Sequence, residues 1–362
     1  MSDAALLDDA AERARLDPGG MGAAVAGLPD QCRAAWSEAQ ALDLPEDYRE
    51  IDRIVVLGMG GSAIAGDVFR LLLARESAVP VLNHRHYDAP PYVDGRTLVV
   101  AASFSGNTEE TRSAFEGVLG GPSKKLALTT GGKLLTTARA NGVPAFVFRY
   151  EGEPRSAFGY GLMPLLAVGD KLGLMQGVGA DVEEALSAME ALRSRIGEDV
   201  PLSDNASKQL AAKLAGRLPV VYGAELLTEV AHRWKTQINE SSKLWAFYEQ
   251  LPEANHNAIV SFELPPEVAR LVFVVYLRSP DFHRRVGMHY EFSQRLLGEA
   301  GVDFQEVVAE GRSGLAQAMT SVQFGDYVSW YLALLTGVDP TPTTPIEKLR
   351  AWLARQDAQT AG

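Results

Sequence analysis

Short apolar runs alternate with stretches of helical periodicity along most of the chain. Ile54-Val55-Val56-Leu57 is a four-residue apolar run that stops at Gly58, the pattern of a strand covered on both faces. A helix is predicted over Ser62–Leu73, then strands at Val79–Leu82 and Thr97–Ala102, a helix at Glu109–Leu119, and strands at Lys125–Leu128 and Ala145–Phe148. Strand and helix in regular alternation mean βα units and a parallel sheet. From Tyr160 to Ile196 strand signals vanish and the pattern is helical, broken at Gly177-Val178-Gly179. A second block then opens with a strand at Leu218–Tyr222 that ends at Gly223, followed by a helix over Ala224–Ile238 and a strand at Leu271–Leu277. A helix at Phe282–Leu297, a strand near Phe304–Val308 and an apolar helix at Leu315–Leu335 complete it.

Val55-Val56-Leu57-Gly58 in the first block and Val220-Val221-Tyr222-Gly223 in the second each precede a helix, a weak repeat of the kind a duplicated sheet leaves. The fold class is therefore α/β, with two doubly wound parallel-sheet domains in tandem and flanking helices. The expected divisions are a helical segment at 1–50, a first domain at 51–155, a helical connection at 156–200, a second domain at 201–338, and a Pro-rich stretch with a final helix (Ile346–Ala354) at 339–362.

The 362 residues suit two domains, and 34 Lys plus Arg against 46 Asp plus Glu give a net charge of −12. That balance lacks the basic excess that binding a phosphate backbone requires, so nucleic acid is not an expected partner. Cys32 is the one cysteine, which excludes an internal disulfide and any Cys-built metal site and suits a reducing compartment. The N-terminus is acidic rather than basic and apolar, and no apolar run has spanning length. The expected address is the cytoplasm, without a membrane.

Gly58-Met59-Gly60-Gly61-Ser62-Ala63 lies where a strand turns into a helix, so free backbone N–H groups and the positive end of a helix dipole converge there. Ser62 is placed to cap that helix. From this segment alone a plain serine-capped turn explains the residues equally well. Gly58-x-Gly60-x-x-Ala63 also fits the dinucleotide fingerprint, but the next strand ends in Leu82-Asn83-His84-Arg85 and offers no acid for a ribose. A second junction, Ser103-Phe104-Ser105-Gly106-Asn107-Thr108, follows another apolar strand with three hydroxyls and a glycine in six positions. Glu109 and Glu110 then enter the first helical turn, where negative charge is favoured. Two such junctions can face one phosphate.

Groups able to move protons lie further on. Leu227, Val230, Trp234 and Ile238 form an apolar helical stripe, after which Asn239-Glu240-Ser241-Ser242-Lys243 places Glu240 at a helix end as a plausible base. His256 sits among amides in the proline-bounded loop Leu251–Ala258. No H-x-x-x-H spacing or carboxylate pairing among the other histidines argues for a metal. Arg155 lies just past the first sheet, and Lys348 on the tail helix.

These segments resemble the bifunctional phosphoglucose/phosphomannose isomerases, which are built from two sugar-isomerase (SIS) domains. The matching stretches are GMGGSAIAGD at 58–67, SFSGNTEET at 103–111, Pro154-Arg155-Ser156, NESSK at 239–243, PEANHNAI at 252–259 and DPTPTTPIEKL at 339–349. The resemblance implies two SIS-type domains and a substrate phosphate held by Gly61, Ser62, Ser103, Ser105 and Thr108. It implies Glu240 as the base moving a proton between C1 and C2, His256 and Lys348 assisting ring opening, and Arg155 stabilising the enediolate. It further implies a homodimer in which His256 can serve the partner's site, a sugar-phosphate substrate, no metal and no cofactor. Thr341 is the residue matched to accommodating both C2 epimers. Two readings compete: a sugar-phosphate sensor that binds without catalysis, which needs no joint presence of Glu240, His256 and Arg155, and a nicotinamide-dependent dehydrogenase.

Overall fold

A computed structural model describes residues 4–262 and 265–360. The chain opens with three helices, α1 (Ala10–Leu16), α2 (Met21–Ala26) and α3 (Leu28–Ala39). The first sheet unit follows: β1 (Arg53–Leu57), α4 (Gly60–Leu73), β2 (Val81–His84), β3 (Thr97–Ala102), α5 (Glu109–Val118), β4 (Lys124–Thr129), α6 (Gly132–Ala140) and β5 (Ala145–Val147). Next come α7 (Phe158–Lys171), α8 (Val178–Ile196) and α9 (Ala206–Leu214). The second unit holds β6 (Leu218–Ala224), α10 (Thr228–Ser241), β7 (Phe247–Leu251), α11 (Pro266–Leu271), β8 (Val272–Arg278), α12 (Arg284–Glu299) and β9 (Asp303–Val308). α13 (Gly314–Leu335) and α14 (Thr344–Thr360) close the chain.

All ladders in both sheets are parallel, in the orders β2-β1-β3-β4-β5 and β7-β6-β8-β9. Side chains alternate across the first sheet as the two-residue period demands. Ile54, Val56, Leu98 and Val100 join the large central core, whereas Val55, Leu57, Val99 and Ala101 pack with Ala114, Phe115, Leu134 and Ala138 of α5 and α6. The second sheet divides likewise, with Val221, Val275 and Leu277 facing the central core and Tyr222, Val274 and Tyr276 facing Tyr290 and Leu297 of α12. Both units are thus doubly wound, and one apolar core runs between the two sheets. Its axis is α13, buried along nearly its whole length, as expected of a helix apolar on every face.

Several expected bounds shift for local reasons. Pro80 has no N–H to give, and β2 begins after it at Val81 rather than at Val79. β6 continues through Gly223 to Ala224, and a tight turn over Glu225–Leu227 delays α10 to Thr228. α10 then runs to Ser241, so Glu240 stands inside its last turn rather than beyond its end. α6, α9 and β7 have no counterpart in the sequence expectation. β7 is an edge strand whose aromatic residues Phe247 and Tyr248 are exposed, so it shows neither alternation nor a continuous apolar run.

α13 and α10 meet at Gly325, where an added Cβ would stand 2.2 Å from the Trp234 Nε1 atom. Trp234 is itself buried and donates through Nε1 to the Ser321 carbonyl at 2.9 Å, so the ring cannot retreat without losing that bond. Gly325→Ala should therefore cost about 1–3 kcal/mol of stability through overpacking. Urea unfolding checks this, and an unchanged midpoint would refute the close approach.

Candidate functional site

In the first sheet the strand order reverses between β1 and β3, and ligand crevices of open parallel sheets lie beyond the carboxyl ends of such a pair. The two glycine- and serine-bearing junctions of the sequence are those ends. Gly60 turns the chain with φ +51°, and α4 begins there, two residues earlier than expected. Ser62 consequently occupies the third helical position and is not the cap; Met59 holds the cap position, with no side-chain bond to the helix. A helix cannot pair its first-turn N–H groups internally, and α4 starts at the carboxyl end of β1, where the crevice lies. Across it, Ser103 is buried and its hydroxyl shares a 2.9 Å hydrogen bond with that of Thr108 at the N-cap of α5. Ser105 is exposed, and its Oγ accepts the Asn107 N–H at 3.2 Å. Gly106, with φ +65°, has no room for a side chain, because a Cβ would meet the Gly131 carbonyl oxygen at 1.9 Å.

Gly61 joins this cradle to the rest of the site. A Cβ on it would lie 3.3 Å from the Pro154 carbonyl oxygen and 3.6 Å from the Arg155 Cα. Arg155 leaves that turn and crosses to the second unit with its side chain only 3% exposed. Its Nη2 donates to the carbonyls of Pro340 and Thr341 at 2.6 and 2.8 Å, and its Nε donates to Ser241 Oγ at 3.3 Å. Nη1 faces Glu153 at 3.4 Å and Glu240 at 3.9 Å. The longer separation leaves the Glu240 carboxylate without a hydrogen bond from the guanidinium and open on its remaining side, its side chain being 29% exposed. Burial pushes the Glu240 carboxyl above its ordinary value, against the opposing pull of Arg155, Arg233 and Lys243. Arg155 is lowered by burial, with Glu240 and Glu153 countering.

Two cations here went unassigned from sequence. Arg233 is buried, pairs with Asp326 at 2.7 Å, donates to the Arg155 carbonyl at 3.2 Å and lies over the Phe158 ring at 4.4 Å. The signal was Asp326 itself, the one charge inside the otherwise uncharged 315–335 helix, which requires a buried partner. Lys243 adopts φ +58° and reaches the Glu240 and Pro340 carbonyls. Thr341 is also brought in, through its carbonyl. Its side chain lies against Gly19, where a Cβ would stand 2.2 Å from Thr341 Oγ1.

His256 and Lys348 are not gathered here within one chain. His256 is exposed in the turn Glu253–His256, its ring 6.4 Å from that of His289. Lys348 is exposed on α14, whose Ile346, Leu349 and Trp352 are exposed too. The second sheet repeats the architecture without the cradle: Glu225, with φ +45°, stands at the position of Gly60, and its carboxylate accepts the His283 N–H at 3.1 Å.

The expectation that no histidine pairs with a carboxylate is corrected at His232, whose Nδ1 lies 3.2 Å from Glu229 Oε2 one turn earlier on α10. With Asp67 these groups bring three ligand-type atoms within 4.8 Å of one another, the one such cluster among the described residues. Arg85 and Arg70 already hold the two carboxylates, so the protein supplies the positive charge that a metal ion would bring.

The family model for the bacterial phospho-glucose isomerase C-terminal SIS domain matches residues 203–353. A bifunctional phosphoglucose/phosphomannose isomerase from Caldicellulosiruptor bescii is 38% identical across 90% of this chain and 97% of its own. The protein of the same name from Aquifex aeolicus is 33% identical across 86% of this chain and 94% of its own. The chain belongs to the bifunctional phosphoglucose/phosphomannose isomerase family. A D-glucosamine-6-phosphate 4-epimerase from Sulfolobus acidocaldarius is 32% identical over 62% of this chain and 68% of its own. A hypothetical protein from Thermus thermophilus shares the fold with a TM-score of 0.76 at 20% identity, covering 97% of this chain and 94% of its own. Membership makes the chain an enzyme of the isomerase class, and no helix among the described residues is long and apolar enough to cross a membrane.

Arg155→Met removes the largest pull opposing burial at Glu240 and should raise that carboxyl further. A carbon-13 NMR titration of the glutamate carboxyls checks the direction; a fall would show that the pair does not set the charge state of Glu240.

Proposed function

We propose that this protein interconverts glucose 6-phosphate and mannose 6-phosphate with fructose 6-phosphate through a cis-enediol, with Glu240 as the base. The observation that carries this reading is the placement of a half-buried carboxylate beside a buried arginine, one glycine away from a two-sided anion cradle. Gly61, Ser62, Ser103, Ser105 and Thr108 hold the phosphate through N–H and hydroxyl donors. Anchored there, the opened sugar lays C1 and C2 past Glu240, which removes the proton from one carbon and returns it to the other. Arg155 faces the oxygens on which charge develops, where a preorganised cation acts most strongly. Thr341, whose carbonyl accepts from Arg155, is the residue given the accommodation of both C2 epimers in this reading.

Ring opening falls to His256 and Lys348, and the reading supplies His256 from a second copy of the chain. Support comes from exposed apolar side chains on the second unit: Trp245, Phe247 and Val260 are 80%, 48% and 82% exposed. Such a surface suits a self-complementary twofold contact. The protein is placed in the cytoplasm, where the buried thiol of Cys32, pushed up to about 12 by burial, stays reduced. The domain divisions proposed are those of the sequence, 51–155 and 201–338, with Arg155 on the seam.

Purified protein should turn over both aldose phosphates, and Glu240→Gln should abolish turnover while inorganic phosphate still binds. Retained hydrogen exchange at C2 in that variant would remove Glu240 from the base role, and activity on glucosamine 6-phosphate alone would point instead to epimerase chemistry. The acid limb of kcat/KM should lie above the ordinary carboxylate range, since the base must lose its proton and burial holds it. Ser103→Ala should weaken phosphate binding about tenfold or more, by the ~1.5–3 kcal/mol of a hydrogen bond to a charged group. Mixing inactive Glu240→Gln with inactive His256→Ala should restore about a quarter of wild-type activity, because only a mixed dimer has one site with both groups. No recovery, with exchange of subunits demonstrated, would put His256 outside the partner's site.

A further inference from the structure

α4 and α10 belong to different sheet units and carry the two halves of the site at opposite ends. The cradle residues Gly61 and Ser62 stand in the first turn of α4, and Glu240 in the last turn of α10. Arg155 joins those ends, with Gly61 against its Cα and Glu240 against its guanidinium. At the other ends Arg70, in the last turn of α4, donates to Glu229 Oε1 in the first turn of α10 at 2.9 Å. The helices therefore run antiparallel, tied at both ends. Each charge of the second tie also suits its helix dipole, the carboxylate at an N-terminus and the guanidinium at a C-terminus.

The second tie is braced from both units. His232 holds the other Glu229 oxygen at 3.2 Å and stacks on Tyr248 of β7, ring centroids 4.5 Å apart. Asp67, one turn before Arg70, is buried and held by Arg85 and by Asn83 Nδ2 from the end of β2. Glu229 is only 14% exposed and Arg70 37%. Burial works to raise the Glu229 carboxyl, but its bonds to His232 and Arg70 outweigh that and keep it low, hence charged.

We propose that the Arg70–Glu229 pair is a positioning clamp that fixes α10 against α4 and so sets Glu240 at its working distance from the phosphate seat. The proposal rests on the reading of Glu240 as base and of the cradle as phosphate seat. Geometry gives the clamp its leverage. Eleven residues separate Glu229 from Glu240, about 16 Å of helix, so a rotation of about 3–4° at the clamp displaces the carboxylate by about 1 Å. A misplacement of that size can cost about a hundredfold in rate.

The test uses Arg70→Met, on the partly exposed side, with Glu229→Gln, their double variant and Arg70→Lys. Each single variant should lower kcat about 10–100-fold, far below its melting temperature, while the inhibition constant for inorganic phosphate stays within about twofold. The double variant should be no slower than the slower single, and Arg70→Lys should recover most of the loss. Wild-type kcat in variants that merely melt earlier, or losses that multiply in the double, would overturn the clamp. Should Glu229→Gln fail to fold, Arg70→Met and Arg70→Lys carry the comparison. Wild-type protein that turns over neither aldose phosphate would instead defeat the underlying reading, and the clamp with it.

Discussion

The site depends on the burial of one guanidinium. Arg155 cannot lose its proton and cannot reach bulk water, so every donor it carries must be answered by protein. The answers come from separate stretches of chain: Glu153 beside it, Ser241 and Glu240 at the end of α10, and the carbonyls of Pro340 and Thr341 in the segment before α14. Arg233 fixes the backbone of the same turn from α10 and is itself neutralised by Asp326 of the central helix. Apart from Glu153, each contact made by Arg155 itself crosses between sheet units or into the tail. Satisfying one buried charge therefore brings the cradle, the carboxylate and the tail together at one seam.

Duplicated architecture sharpens what the first unit has and the second lacks. Both sheets start with the order second-first-third strand, so each has a crevice where a ligand could settle. In the first, Gly60 and Gly61 keep the strand–helix turn free of side chains. In the second, the same left-handed position is taken by Glu225, whose carboxylate lies on the backbone N–H just before α12. A carboxylate there repels an incoming dianion, and the second unit contributes instead the helix that ends in Glu240. On the proposed reading, two copies of one fold divide anchoring and proton transfer between them.

Much of this was legible from residue order. The apolar runs marked strands of the correct sheet, since a parallel strand buried on both faces leaves an unbroken signature, as at Ile54–Leu57. Glycine and hydroxyl residues after those runs marked the two strand–helix junctions that meet at the crevice of the first sheet. Three kinds of information were absent. β7 is exposed and short, so its pairing with β6 is a tertiary fact without a local pattern. Ser62 reads as a cap only if the helix starts after Gly61, and the left-handed turn at Gly60 moves that start. The pairing of Arg155 with Glu240, 85 residues apart, follows from how two sheets pack, which periodicity does not encode.

The chemistry of Glu240 follows from the balance between burial and nearby cations. A fully solvated glutamate is too weak a base for a carbon acid, and one buried without compensation stays protonated at neutral pH. Here burial raises the carboxyl while Arg155, Arg233 and Lys243 pull it back, which leaves the group more basic than a surface glutamate. The 3.9 Å gap to Arg155 belongs to the same balance. A direct hydrogen bond would hold the lone pairs that a base in the proposed role uses, whereas a charge slightly further away acts through its field and leaves them available. In the proposed reaction the same guanidinium, held by the tail carbonyls, would meet the negative oxygen that forms as the proton leaves carbon.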